Sequence, residues 1–88
     1  MKEKDTERLL KALANRRRLA ILRFLNKRPQ STVGEVADEI KLSFKSTSKH
    51  LGILRAVDVL EKEQVNLKMY YSLNKPLNSI VTTTISSL

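Results

Sequence analysis

The apolar residues of this chain keep two different rhythms, and the switch between them limits the fold more than any single motif. Up to about residue 57 they recur every three or four positions, the spacing that lines one face of an α-helix. After Asp58 the spacing drops to two. Val59-Leu60-Glu61-Lys62-Glu63-Gln64-Val65 and Lys68-Met69-Tyr70-Tyr71-Ser72-Leu73 read as strands. Asn66-Leu67 lies between them, and Asn tolerates the positive φ of a tight turn, so the pair forms a β-hairpin. From Pro76 the helical spacing returns, with Leu77, Ile80, Val81, Thr84, Ile85 and Leu88 in register. Val81 to Ile85 is β-branched throughout, which lowers helix propensity, so this last helix needs packing to hold it.

Polar punctuation divides the helical part into four. Leu9, Leu10 and Leu13 make a first stripe, which Asn15 interrupts as a good N-cap. A second helix carries Ile21, Leu22, Phe24 and Leu25 and ends near Arg28-Pro29, because proline disfavours helix at the residue before it. Thr32-Val33-Gly34-Glu35 is a capping-box pattern that opens a short third helix with Val33, Val36, Ala37 and Ile40 on one face. Lys41-Leu42 is a tight connection, and Ser43 caps a fourth helix. Its inward face is Thr47, Leu51 and Leu54, with His50 beside them. Its outward face is Lys45, Ser46, Ser48, Lys49 and Gly52, polar, small and basic.

Size and composition exclude several classes. A chain of 88 residues is one domain, 1–88, and one this small buries only about 60–65% of its unfolded surface. No apolar run exceeds the four residues Leu19 to Leu22, so a membrane-spanning helix and a membrane partner are excluded. No apolar leader follows Met1, and a cytoplasmic location is expected. The absence of cysteine removes disulfides, thiolate metal sites and cysteine nucleophiles together. One histidine, no Gly-rich phosphate loop and no carboxylate pair argue against an enzyme, a metal and a cofactor.

Charge points to a polyanion. Seventeen Lys+Arg against nine Asp+Glu give +8, with a pI near 10.1, and nucleic acid is the commonest partner of such a domain. The excess is uneven: residues 1–28 carry a net +7, residues 29–58 are neutral, and residues 59–88 carry +1. Charge alone would place the partner on Arg16, Arg17, Arg18, Arg23, Lys27 and Arg28.

The order of elements qualifies that placement. Two short, closely joined helices followed directly by a hairpin are the layout of a winged helix-turn-helix. Three segments carry a closer likeness. Leu13-Ala14-Asn15-Arg16-Arg17-Arg18-Leu19-Ala20-Ile21-Leu22 resembles the LADPTRLRIL opening of ArsR-type (ArsR/SmtB) transcriptional regulators. Ser48-Lys49-His50-Leu51-Gly52-Ile53-Leu54-Arg55 resembles their SRHLxxLR recognition helix, and Tyr70-Tyr71-Ser72-Leu73-Asn74 their YYSLN wing end. The three hold register over roughly residues 6–78.

The resemblance implies a homodimeric repressor that binds double-stranded DNA at an inverted repeat. Residues 1–14 and 76–88 would be its dimerisation helices, with Leu9, Leu10, Leu13, Leu77, Ile80, Val81, Thr84, Ile85 and Leu88 at the interface. The fourth helix would enter the major groove with Phe44, Lys45, Ser46, Ser48 and Lys49. Phe44 stands where the family often has Gln, so amide readout is lost there, and the ring either meets a thymine methyl or packs. Ser43, His50, Arg16 and Arg17 are weaker candidates for the DNA backbone; Ser43 is first a cap and His50 first a structural brace.

The chain also departs from the family. The segment that carries the metal-binding thiols of classical members reads Val33-Gly34-Glu35-Val36-Ala37-Asp38-Glu39-Ile40. Residues 77–88 contain none of the Asp, His and Glu of the alternative metal site. The wing replaces several arginines with Glu61-Lys62-Glu63-Gln64-Val65-Asn66, leaving Lys62 and Lys68 as its only basic candidates. The neutral wing and Phe44 keep two alternatives open, a protein–protein interaction module and a non-specific architectural DNA binder.

Overall fold

Four polar residues set where four of the five helices begin, and with them the architecture. Asn15 Oδ1 accepts from the Arg17 and Arg18 amides at 2.9 and 3.1 Å. Ser43 Oγ accepts from the Ser46 amide at 3.1 Å, and Asn78 Oδ1 from the Ile80 amide at 2.8 Å. Thr32 completes the expected capping box: its hydroxyl accepts from the Glu35 amide at 3.2 Å, and the Glu35 carboxylate accepts from the Thr32 amide at 2.8 Å. That amide bond holds the Glu35 carboxyl below its usual range, with the Thr32 hydroxyl, Arg28 and Lys68 acting in the same direction.

A computed structural model describes residues 1–88. The elements are α1 (Glu3–Leu13), α2 (Arg16–Leu25), β1 (Ser31–Thr32), α3 (Val33–Ile40), α4 (Phe44–Ala56), β2 (Leu60–Val65), β3 (Lys68–Leu73) and α5 (Ser79–Ser86). The four leading helices, the hairpin and the closing helix follow the order read from the sequence, but the closing helix runs only from Ser79, after the Asn78 cap, to Ser86, so Leu77 and Leu88 lie outside it. Two further details differ. First, α2 stops at Leu25, short of Pro29. The Lys27 and Arg28 amides bond back three residues, to Phe24 and Leu25, so the last turn tightens before the proline is reached. Second, the hairpin has a third strand, because β1 pairs antiparallel with β3 and gives the order β1-β3-β2. Two residues carry no period, so alternation could not reveal β1.

The register decides which residues face the helices. Leu60 opposes Leu73 and Lys62 opposes Tyr71. Leu60, Tyr71 and Leu73 are buried and join Ile21, Leu22, Leu25, Val36, Leu51 and Leu54 in one apolar core. Tyr70 points the other way and is half-buried. At the wing turn only Asn66 has positive φ (58°), and the Gln64 side-chain amide donates to its carbonyl at 3.1 Å. Asp58, also left-handed at 62°, turns the chain from α4 into β2. Asn74 clips that corner from the far end of the hairpin, donating to the Val59 and Asp58 carbonyls.

The two terminal helices use the centres of their apolar stripes on this same core. Leu9, Leu13 and Val81 are 5%, 5% and 1% exposed, which corrects the expectation that they face a partner. Each side chain is enclosed within the chain's own core. The flanks remain available: Leu10 is 49% and Leu88 41% exposed, and Leu77, Ile80, Thr84 and Ile85 are half-buried. The Thr84 hydroxyl donates to the Ile80 carbonyl at 2.7 Å, so one of the β-branched residues is satisfied within α5.

Candidate nucleic-acid interface

Helices α3 and α4 are joined by three residues. Lys41 ends α3 in the left-handed region (φ 55°), its amide bonded to the Ala37 carbonyl; the Leu42 amide reaches the same carbonyl at 3.1 Å. Leu42 packs partly against the core and Ser43 caps α4. A sharp turn of this kind holds the second helix across the first. Helix α4 has 13 residues and is therefore about 20 Å long. Thr47, Leu51 and Leu54 anchor it from beneath.

Its outer surface is free. Phe44, Lys45, Ser46 and Lys49 are exposed and Ser48 is half-buried. None of these five side chains engages another protein group, whereas the Ser43 hydroxyl is occupied by its cap. Phe44 and Ser48 lie one turn apart on one strip, and Lys45 and Lys49 on the next. The first turn holds no acid, so the positive end of the helix dipole is uncompensated. Phe44 is 64% exposed, so it does not pack within the protomer.

The arginine cluster is arranged differently. Arg17 donates to the Ile40 carbonyl at 2.8 Å, closing the C-terminus of α3. The Arg18 guanidinium reaches three places: the Ala12 carbonyl, the Lys11 carbonyl at 3.4 Å and His50 Nδ1 at 3.1 Å. One side chain of α2 thereby ties the end of α1 to the middle of α4. Because a guanidinium only donates, Nδ1 must accept, and the ring proton sits on Nε2. Burial holds the His50 imidazole below its usual range, and the charges of Arg18, Arg17 and Lys49 add to the effect. Arg28 stacks on the Phe24 ring at 4.2 Å and donates to Ser31 Oγ at 3.3 Å, and Arg23 reaches the Leu88 carbonyl at 3.4 Å. Arg16 alone of the triplet is exposed with no protein partner. The carbonyls that Arg17 and Arg18 satisfy come from other helices, so nothing in the local sequence marks them.

The two wing lysines part company. Lys62 opposes Tyr71, so it extends the core-facing side of the ribbon, beside Gln64 and Met69. Lys68 opposes Val65 on the other side, which also carries Glu61 and Glu63. The Lys62 side has no carboxylate from either strand. At the tip, Leu67 is 96% exposed.

Known proteins share this arrangement. A family profile described as a helix-turn-helix domain matches residues 13–63. The chain is 33% identical over 76 residues to the HTH-type transcriptional regulator YgaV of Escherichia coli, covering 85% of this chain and 77% of that protein. It is 34% identical over 76 residues to the transcriptional repressor PagR of Bacillus anthracis, covering 86% and 76%. Its fold superposes with a TM-score of 0.81, at 25% identity, on a homodimeric winged helix-turn-helix DNA-binding domain from Mycobacterium bovis described as a possible ArsR-family regulator. That match covers 96% of this chain and 74% of the other.

Proposed function

Because the chain belongs to the ArsR-type winged helix-turn-helix transcriptional regulators, we propose that it binds an inverted-repeat operator as a homodimer and represses from it. DNA-binding regulation is the shared property of the family, and the members are typically not enzymes. The dimer, the operator and the contact residues are the parts proposed.

One observation carries the reading. The N-terminal half of α4 presents Phe44, Lys45, Ser46, Ser48 and Lys49 with no protein partner, on a helix locked from below by Thr47, Leu51 and Leu54. A recognition helix places that end against base edges. Lys45 and Lys49 reach guanine or phosphate, and the two serine hydroxyls donate or accept. Arg16, exposed and without a protein partner, and the Ser43 hydroxyl are the candidates for backbone contact, and Lys62 is favoured over Lys68 because its side of the ribbon carries no carboxylate. Arg17 and His50 act through the scaffold. For the dimer, the exposed flank of α1 at Leu10 and Ala14 and the end of α5 at Leu88 supply apolar surface, and the Mycobacterium bovis neighbour is homodimeric. No helix is long and apolar enough to cross a membrane.

Selection of bound duplexes from a random pool at fixed salt tests the reading, with the dimer followed by sedimentation. The expected product is two half-sites about one helical turn, or 34–36 Å, apart. Affinity should fall with salt at a log–log slope of about −0.9 per phosphate neutralised. Enrichment of no sequence, with equal binding to any duplex, would instead identify a non-specific architectural binder. No DNA binding at all would leave a protein-interaction module.

A further inference from the structure

We propose that Phe44 selects thymine: its ring meets the C5 methyl group of one thymine in each half-site. The inference rests on α4 being the DNA-reading helix and adds what that helix reads.

Among the large apolar side chains only Met1 and the wing-tip Leu67 are more exposed than Phe44. Scattered exposed leucines are ordinary on protein surfaces. Phe44 differs by its position, at the first residue of the proposed reading helix, between Ser43 and Lys45 and one turn from Ser48. The ring makes no conventional hydrogen bond, so the donor and acceptor edges of guanine, cytosine and adenine in the major groove offer it little. Thymine alone presents an apolar group there. A ring anchored at the first turn, one turn from Ser48, has that methyl group as its only complementary base feature. The surrounding chemistry agrees. Lys45 supplies charge to the phosphates, and Ser46 and Ser48 supply adaptable hydroxyls. Among residues 43–49 no amide or guanidinium is available for bidentate reading of adenine or guanine. Phe44 therefore adds an apolar preference for thymine to whatever Lys45, Lys49 and the two serines read.

The experiment takes the duplex selected by the whole protein and replaces each thymine in turn with deoxyuridine, which removes the methyl group and nothing else. Binding is measured for the wild type, Phe44→Ala and Phe44→Gln, after thermal melts have confirmed that each variant is folded. One thymine per half-site should be sensitive, its replacement weakening wild-type binding about fourfold, the worth of one buried methyl group. Phe44→Ala should bind the thymine and uracil duplexes equally. Phe44→Gln should lose the same sensitivity, and a new selection with it should shift the preferred base at that position. Equal wild-type affinity for every uracil duplex, or undiminished uracil sensitivity in Phe44→Ala, overturns the inference while leaving α4 as the reading helix. Failure of the wild type to select any sequence overturns both.

Discussion

The N-terminal turns of α2 and α4 look alike in outline and do opposite work. Each begins at a side-chain cap, Asn15 or Ser43, and each carries basic residues in its first turns. In α2 two of the three reach carbonyls, Arg17 that of Ile40 and Arg18 those of Lys11 and Ala12, and only Arg16 is left free. In α4 Lys45 and Lys49 have no partner at all. On the reading proposed for α4, net charge is a poor map of where a polyanion binds. A guanidinium is a rigid five-donor fork, suited to satisfying the free carbonyls at helix ends. Charge counting assigns such a group to a ligand when its hydrogen bonds already belong to the fold.

Substitutions can break that contrast. The largest effect should come from α4. Lys45→Ala with Ser48→Ala should weaken specific DNA binding by more than about 100-fold, since each base or phosphate contact is worth about 1–3 kcal/mol and both half-sites lose two. The melting temperature should hold, because neither side chain makes a hydrogen bond or ion pair within the protein. An anisotropy titration showing near wild-type affinity would remove α4 from the reading role. Arg18→Ala should do the reverse. Charge-assisted hydrogen bonds contribute about 1.5–3 kcal/mol, so denaturant unfolding should show a loss of about that size. DNA affinity corrected for the folded fraction should change little. If Arg18→Ala leaves stability intact and weakens DNA binding instead, the two regions have been assigned the wrong way round.

Two smaller effects sharpen the description of α4. Thr47 is fully buried and its hydroxyl has no protein hydrogen-bond partner. Thr47→Val keeps the shape and removes the orphaned group, so stability should rise by about 1 kcal/mol. Gly52 lies on the exposed face, and a methyl group there would meet nothing within 4 Å. Gly52→Ala should therefore stabilise the helix by about 0.5–1 kcal/mol. If the same change weakens DNA binding, the backbone at Gly52 approaches the duplex closely.

How much of this was readable beforehand follows the range of the interactions. Caps at Asn15, Thr32 and Ser43 act within three residues, so their signatures stand in the sequence and all three formed. The hairpin was legible from its period and from Asn66. Strand β1 was not, since two residues have no period and Ser31–Thr32 is a strand only because β3 lies beside it. The partners of Arg17 and Arg18 were hidden for the same reason, being 23 and up to 32 residues away. Of the nine residues that the stripes on α1 and α5 offered to a partner, three are enclosed by the chain itself. A stripe records that a side chain is buried, not whether its own core or a partner buries it, and Leu9, Leu13 and Val81 face the former.

The smallest effect is expected where the two regions meet, at His50. Its Nδ1 accepts from Arg18, and burial together with the charges of Arg18, Arg17 and Lys49 lowers its pKa. The folded imidazole thus titrates below its ordinary value of 6.5, whereas the unfolded one titrates near it. As pH falls through that value the unfolded chain takes up the proton first. The stabilisation from a neutral His50 is complete above about pH 6.5 and is lost progressively below it, through the lowered folded pKa. Glu35, lowered from 4.5, has the same sign but acts in a more acidic window, so the two separate. His50→Asn keeps an acceptor for Arg18 and cannot titrate. Its denaturant midpoint should vary less than that of the wild type between about pH 7 and pH 5. Equal slopes for the two proteins would mean that Arg18 does not depend on the protonation state of His50, and that the tie between α2 and α4 is looser than the geometry indicates.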